Sequence, residues 1–150
     1  MDIEEALVTY LRLDYALGQV IAGRISPHES GQRETTYPRV TYEVIDDEQL
    51  FALNKPTGLM TARIQVDVWA TTRKSANDVA RLIRDAKGPS PNTLRLDGFR
   101  GLMGGVLISK IKVENHRRMH ESPKQGSNTA RYRSSLDLIA VYDDAYPGEQ

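Results

Sequence analysis

The histidines are the first residues whose spacing could support chemistry, because His116 and His120 lie four positions apart, as the two histidines of helical zinc sites do. The residues around them are polar and rich in turn formers, and no third ligand follows at metal spacing. The chain contains no cysteine, which excludes disulfides, thiolate metal sites and a cysteine nucleophile. The sequence therefore predicts no bound metal.

Motifs for nucleophilic or phosphate chemistry are equally weak. Ser30 lies near His28 but in no Gly-x-Ser-x-Gly turn, and the glycines of GFRGLMGG lack the Gly-Lys-Ser/Thr ending of a phosphate loop. The adjacent carboxylates at 46–47 and 143–144 are typical of solvated strand ends rather than of acid–base pairs. We predict from this search that the protein is not an enzyme and binds no cofactor.

Basic side chains and the single tryptophan are the best candidates for contact with a partner. Arg117, Arg118 and Lys124 form a basic cluster without the interleaved aromatic residues that stack on single-stranded nucleic acid. Trp69 shares a polar strand face with Arg63 if residues alternate as in a β-strand. Tryptophan and arginine are enriched in protein interfaces, so we predict that Trp69 anchors one.

The chain has the size and composition of one globular domain, which we assign to residues 1–150. This domain must position the residues named above. Its 20 basic and 20 acidic residues cancel, but the first 50 residues have a net charge of −6, whereas residues 110–133 have +5. This separation favours head-to-tail docking between copies. The acidic start lacks a secretion signal and no apolar run reaches the roughly 20 residues of a membrane span, which predicts a cytoplasmic protein with no membrane partner.

Hydrophobic periodicity predicts the helices. Asp2 and Glu5 form a capping box, and the helical spacing that follows ends near Asp14 or Gly18. A short extended piece follows at 24–26, and a second helix is predicted over 73–87.

Period-two alternation predicts four strands, which begin near Arg39, Ala62, Val106 and Tyr132. A register change near Ser109 predicts a β-bulge in the third strand. The long connection 46–58 reads as a projecting arm or a functional loop, 114–130 reads as a second long hairpin arm, and 88–103 reads as an irregular insertion. The expected fold is α+β: a four-stranded, mostly antiparallel sheet with two helices packed on one face and long hairpin arms.

The order of these elements resembles the phage tail-completion or tail-terminator family of siphophages and gene transfer agents. The resemblance is based on the opening helix and on four segments, which are YPRVTYEVI, ARIQVDVWATT, SANDVARLIRDA and YRSSLDLIAVYDD. The run at 63–70 and the tyrosine-led last strand are the most specific parts. The segments 88–103 and 114–130 depart from the pattern.

The resemblance implies a non-enzymatic protein that assembles into a homo-oligomeric ring, commonly a hexamer, at the head-proximal end of the virion tail. Such a ring caps the tail tube, stops its polymerisation and offers the joining surface to head and neck connector proteins, while DNA only passes through its bore. Assembly takes place in the host cytoplasm. On this basis we assign six interface residues: Lys55, Arg63, Trp69, Arg117, Arg118 and Lys124.

Two other functions remain open from the sequence. A neck or head-completion connector would share the small size and ring formation, and would differ by copurifying with the portal. A DNA-binding module would use Arg117, Arg118 and Lys124 and would show steeply salt-dependent binding.

Overall fold

The computed structural model describes residues 2–28, 36–52, 55–89, 94–121 and 131–143, with the backbone alone at 51, 52, 55–57, 120 and 121. The described part contains three helices and six strands. In chain order they are α1 (Ile3–Arg12), α2 (Tyr15–Ile21), β1 (Ile25–Pro27), β2 (Arg39–Ala52), β3 (Lys55–Ala70), α3 (Arg73–Arg84), β4 (Gly101–Met103), β5 (Val106–Glu121) and β6 (Arg131–Asp143).

The strands form one mixed sheet in the order β1-β2-β3-β6-β5-β4, which is shaped as a half-barrel. β1 pairs with β2 in parallel and the other neighbours are antiparallel. The prediction of a four-stranded sheet with two helices is therefore wrong. It did not count β1, where only a short extended piece at 24–26 was expected, and it missed β4; both strands have three residues, too few to show the alternation on which the strand predictions rested.

The third helix was missed because Asp14 divides what reads as one helical stretch. Asp14 ends the first segment and caps the second, since its carboxylate accepts a hydrogen bond from the Leu17 backbone N–H at 3.0 Å. The same carboxylate accepts from the N–H groups of Lys87 at 2.8 Å and Gly88 at 3.1 Å. Asp14 is buried, so this one side chain joins α2 to the loop that follows α3.

The helix start predicted at Asp2 is confirmed, because Asp2 is the N-cap of α1 and its Oδ1 accepts from the Glu5 N–H at 2.8 Å. At its other end, α1 is held by Tyr10, whose hydroxyl donates to the carbonyls of Ala86 at 2.6 Å and Leu94 at 2.9 Å. Gly88 has φ +65° and its Cα lies against the Tyr10 ring, so a methyl group there would overlap the ring. This position needs glycine for conformation and for space.

One face of the sheet packs against the helices and forms the core. Alternate residues of β3 and β6 point to this face and are almost completely buried. The sheet contributes Ala62, Ile64, Val66, Val68, Leu136, Leu138 and Ala140, and the helices contribute Leu7, Leu11, Leu17, Ile21, Val79 and Ile83. The opposite face, which we call the open face, presents the intervening residues of the same strands.

The first predicted arm is a continued β-hairpin rather than a loop. β2 and β3 pair from Arg39↔Trp69 to Ala52↔Lys55, whereas β6 accompanies β3 only from Leu59 onward. The end of the hairpin therefore projects beyond the sheet. The charged side chains at 46–48 hid the strand pattern, although the β3 residues with which they pair are themselves paired with β6.

The second hairpin lies at the opposite end of the sheet, where Glu121↔Arg131 is the one described pair beyond the last β3–β6 pair, Ala70↔Tyr132. β5 pairs with β6 from Leu107↔Asp143 to Glu121↔Arg131, with the predicted bulge confirmed by a register shift between Ile108 and Lys110. Much of the arm predicted at 114–130 is therefore strand, and 122–130 lies outside the described residues. None of the described helices combines the length and apolar character needed to cross a bilayer.

Candidate assembly interface

A row of four side chains crosses the open face where β2 begins and β3 ends. Arg39 lies opposite Trp69, Trp69 opposite Arg133, and Arg133 opposite Met119. Directly paired residues of antiparallel strands point to the same face of the sheet, so the register alone brings these residues together.

Trp69 lies beneath guanidinium groups of its own chain. The guanidinium carbons of Arg39, Arg131 and Arg133 are 5.2, 5.5 and 5.2 Å from the indole centroid, within the range of cation–π attraction. The indole N–H donates to Thr41 Oγ1 at 3.0 Å, and the residue is only 7% exposed. A partner at this position would meet the three arginines first, and the role of Trp69 as an interface anchor stays a prediction.

Beside this row, at the same end of the sheet, two more arginines line a concave site that we call the arginine cleft. It is formed by Arg73 at the start of α3 and Arg118 of β5, together with Asn77, Tyr132 and Ser134, and it borders Met119 and Arg133 of the row. Arg73 lies over the Tyr132 ring at 5.7 Å, and Ser134 Oγ donates to Asn77 Oδ1 at 2.9 Å.

The arginine cleft has an excess of positive charge. In the part of the chain that the structure describes, no carboxylate lies within ion-pair distance of Arg73, Arg118 or Arg133. Among the described residues, Arg133 Nη2 has the Met119 sulfur as its hydrogen-bond partner, at 2.9 Å. The first turn of α3 adds the positive end of its helix dipole. The cleft is therefore built to attract an anion.

The two predicted arginines of β5 have different surroundings. Arg117 lies on the open face, where its Nη2 is 3.2 Å from Asp137 Oδ1 and 3.4 Å from Ser135 Oγ, so its charge is neutralised within the chain. Arg118 points the other way, into the arginine cleft. Because neighbouring residues of a strand point to opposite faces, Arg117 and Arg118 do not form the single basic cluster that was predicted from the sequence.

The remaining predicted interface residues lie elsewhere. Arg63 Nη1 forms an ion pair with Glu114 Oε2 at 2.9 Å on the open face, and both side chains are about half exposed. Lys55 pairs with Ala52 at the tip of the β2–β3 hairpin, at the opposite end of the sheet from the cleft. Lys124 lies outside the described residues.

The β2–β3 hairpin presents carboxylates where the other end presents arginines. We call residues 43–50 of β2 the acidic arm. Asp46, Asp47 and Glu48 are all exposed. Asp47 accepts hydrogen bonds from the Tyr142 hydroxyl at 2.9 and 3.0 Å, whereas Asp46 and Glu48 have no ion-pair partner among the described residues.

Sequence reasoning missed Arg39 and Arg73. Arg39 begins β2, and the period-two pattern that identified this strand also placed Arg39 on its polar face. Its position beside Trp69 depends on the β2–β3 register, which the charged segment 46–58 concealed. Arg73 opens a correctly predicted helix, but nothing in the sequence indicated that this helix begins beside β5 and β6.

Of the two histidines weighed as a metal pair, His116 faces cations, and the side chain of His120 lies outside the described residues. His116 is half-buried on β5, and burial together with the positive charges of Arg118, Arg84 and Arg81 lowers the pKa of its imidazole. This environment disfavours the imidazolium form. Among the residues with described side chains, no group of three or more histidine, aspartate or glutamate residues is arranged to hold a metal ion.

Comparison with known proteins gives one family. The family described as Tail completion protein gp17 matches residues 5–103, more than half of the chain, from α1 to β4. This range includes the acidic arm and Trp69 but not β5 or β6. No curated protein matches the chain significantly.

Proposed function

The chain belongs to the Tail completion protein gp17 family, and on that premise we propose that it caps a phage tail as a homo-oligomeric ring. In this proposal the ring, a hexamer, binds the last layer of the tail tube and blocks further addition of tube subunits. Its other surface receives the neck proteins of the capsid. The role is structural and requires no bond-making reaction.

The observation that supports this function best, beside the family, is the placement of the two hairpins. They lie at opposite ends of one sheet, so a single copy offers different surfaces in two directions. A joining protein needs this property, since it contacts a tail on one side and a head on the other. A ring also needs two different patches on each copy, because head-to-tail contacts are heterologous.

Electron microscopy of particles from a deletion mutant tests the proposal. Without the protein we expect tails of irregular, extended length that fail to join heads, and a plasmid copy of the wild-type chain should restore both length and joining. Tails of normal length attached to heads in the mutant would contradict it. If tails are normal but unattached, and the protein copurifies with the portal, the neck-connector function is the correct one.

The arginine cleft favours DNA binding as the second candidate function, because arginine is well suited to phosphate. DNA binding through Arg73 and Arg118 should weaken steeply with salt, and an Arg73→Gln/Arg118→Gln variant should lose it. For a ring that only lets DNA pass through its bore, we instead expect little DNA retained by the wild-type protein at low salt.

A further inference from the structure

The two unbalanced charge clusters of this chain cannot neutralise each other within one copy. Arg39 marks the basic end of β2, where it pairs with Trp69, and Glu48 lies nine positions further along the same strand. At about 3.3 Å per residue the two ends are roughly 30 Å apart. Because β2 is a continuous strand, the acidic arm cannot fold back to the arginine cleft.

The arginine cleft fits a pair of carboxylates. Arg73 and Arg118 are exposed, so both of their guanidinium groups can be approached from outside, whereas the Arg133 guanidinium lies over the Trp69 ring on the open face. Guanidinium binds carboxylate through two parallel hydrogen bonds. The Asn77 side chain in the same cleft adds an amide to the polar groups available to a ligand.

The acidic arm supplies carboxylates in a suitable arrangement. Asp46 pairs with Arg63 and Glu48 with Thr61, so the two acids are alternate residues that point to the same face of the hairpin. Arg63 forms its ion pair with Glu114 rather than with Asp46. Ile45 is 49% exposed and Leu50 is 37% exposed, which gives the arm apolar surface that a contact would bury.

We propose that Asp46 and Glu48 of one copy bind in the arginine cleft of a second copy, head to tail. The inference deepens the proposed ring function, on which it rests, by naming the two patches that join neighbouring subunits. Repetition of this one heterologous contact around an axis closes a ring. Each copy then uses its acidic arm toward one neighbour and its cleft toward the other.

Charge reversal tests the contact. An Arg73→Glu/Arg118→Glu variant has acids on both surfaces, and an Asp46→Lys/Glu48→Lys variant has bases on both. Each variant alone should lose assembly, because like charges then face each other across the contact. When the two are mixed, every arm again meets a cleft of opposite charge, and assembly should return to the wild-type mass. In the mixture the two variants must alternate around the ring, which is possible when the number of subunits is even, as in a hexamer.

Light scattering after size exclusion measures these masses, on the free protein and on protein added to purified tail tubes. Circular dichroism and thermal unfolding establish that each variant is folded, and Arg73→Gln/Arg118→Gln replaces the reversal if it is not. The matched control is Lys110→Glu/Lys112→Glu, which makes the same charge change at two exposed positions of β5 and should assemble as the wild type does.

The outcomes separate this inference from the proposed function. If the wild type assembles and the mixture recovers assembly that each variant has lost, the contact is supported. If the wild type assembles and both variants assemble equally well, the inference is wrong while the ring function stands. Loss of DNA retention by the arginine variant with unchanged assembly likewise overturns it, in favour of a phosphate site. A wild type that assembles neither free nor on tubes contradicts both.

Discussion

The two faces of the central strands differ more than any other regions of this molecule. On the helix face of β3, Ile64, Val66 and Val68 are at most 1% exposed and all apolar. The residues between them, Gln65 and Asp67, are polar and belong to the open face. The difference shows that one strand serves two purposes through alternate residues: the helix face stabilises the fold, and the open face presents polar side chains, which we propose take part in assembly together with the ends of the two hairpins.

The open face is polar, but part of it is buried. Asp67 is 3% exposed and its carboxylate accepts from Gln65 Nε2 at 3.0 Å, and Thr41 is 1% exposed beside Trp69. These polar groups are satisfied by hydrogen bonds within the sheet, as buried polar groups usually are. The surface left for a partner is therefore the arginines at one end and the acidic arm at the other.

The largest effect should come from truncating adjacent residues of β6 that point to opposite faces. Leu138 is 1% exposed on the helix face, so Leu138→Ala should lower the free energy of unfolding by about 3 kcal/mol through lost burial and a cavity. Ile139→Ala, on the partly exposed open face, should cost less than half as much. Urea unfolding measures both, and equal losses would contradict the division of roles between the faces.

A buried carboxylate near the helices and an exposed carboxylate on the acidic arm should also differ in how much they contribute to stability. Asp14 accepts three backbone N–H groups, and Asp14→Ala leaves them unsatisfied, which should cost about 2 kcal/mol. Glu48→Ala on the acidic arm should leave the thermal midpoint unchanged while it weakens assembly. A Glu48 variant as unstable as the Asp14 variant would show that the arm is part of the folding unit.

Loss of the hydrogen bond from the Trp69 indole N–H to Thr41 should lower the free energy of unfolding by less than these changes at buried positions. Trp69→Phe keeps an aromatic ring under the arginines but loses the donor to Thr41, with an expected cost of about 1 kcal/mol. A double-mutant cycle with Thr41→Val isolates this bond. If Trp69→Phe also abolishes assembly without unfolding the chain, the indole itself contacts the partner, as the sequence predicted.

The smallest effect should be a pH dependence from His116. Its pKa is lower in the folded chain, so the unfolded chain binds more protons near pH 6.5 and the free energy of unfolding decreases as pH falls through this range. His116→Gln should reduce the slope, and His28→Gln is the control for loss of one imidazole. A stability that rises on acidification through the same range would contradict the sign.

Sequence patterns identified the long elements because burial on one face imposes a period. This applies to α1, α3, the sheet-bound part of β2 and the strands that contain Val66 and Leu138, and it also located the bulge near Ser109. The sequence patterns failed where something other than burial on one face determines the structure. Asp14 both interrupts and caps a helix, β1 and β4 are too short to show a period of their own, and charged residues of the acidic arm interrupt the apolar alternation after Val44.

The candidate interface was predictable only in part, for a related reason. Trp69 and Arg118 stood out by residue type, but their surroundings depend on which strands are neighbours. Arg39 and Arg133 reach the indole across two different strand pairings, and Arg73 reaches the cleft from a helix. Such long-range pairings have no local signal in a single sequence.

Side-chain footprinting of the free and assembled protein tests the central claim most directly. Ile45 and Leu50 of the acidic arm and Leu13 and Tyr15 near the α1–α2 junction are all exposed in one copy, Tyr15 at 79%. If copies join through the arm, labelling of Ile45 and Leu50 should fall on assembly while Leu13 and Tyr15 stay equally reactive. Protection of Leu13 and Tyr15 with an unprotected arm would contradict the account.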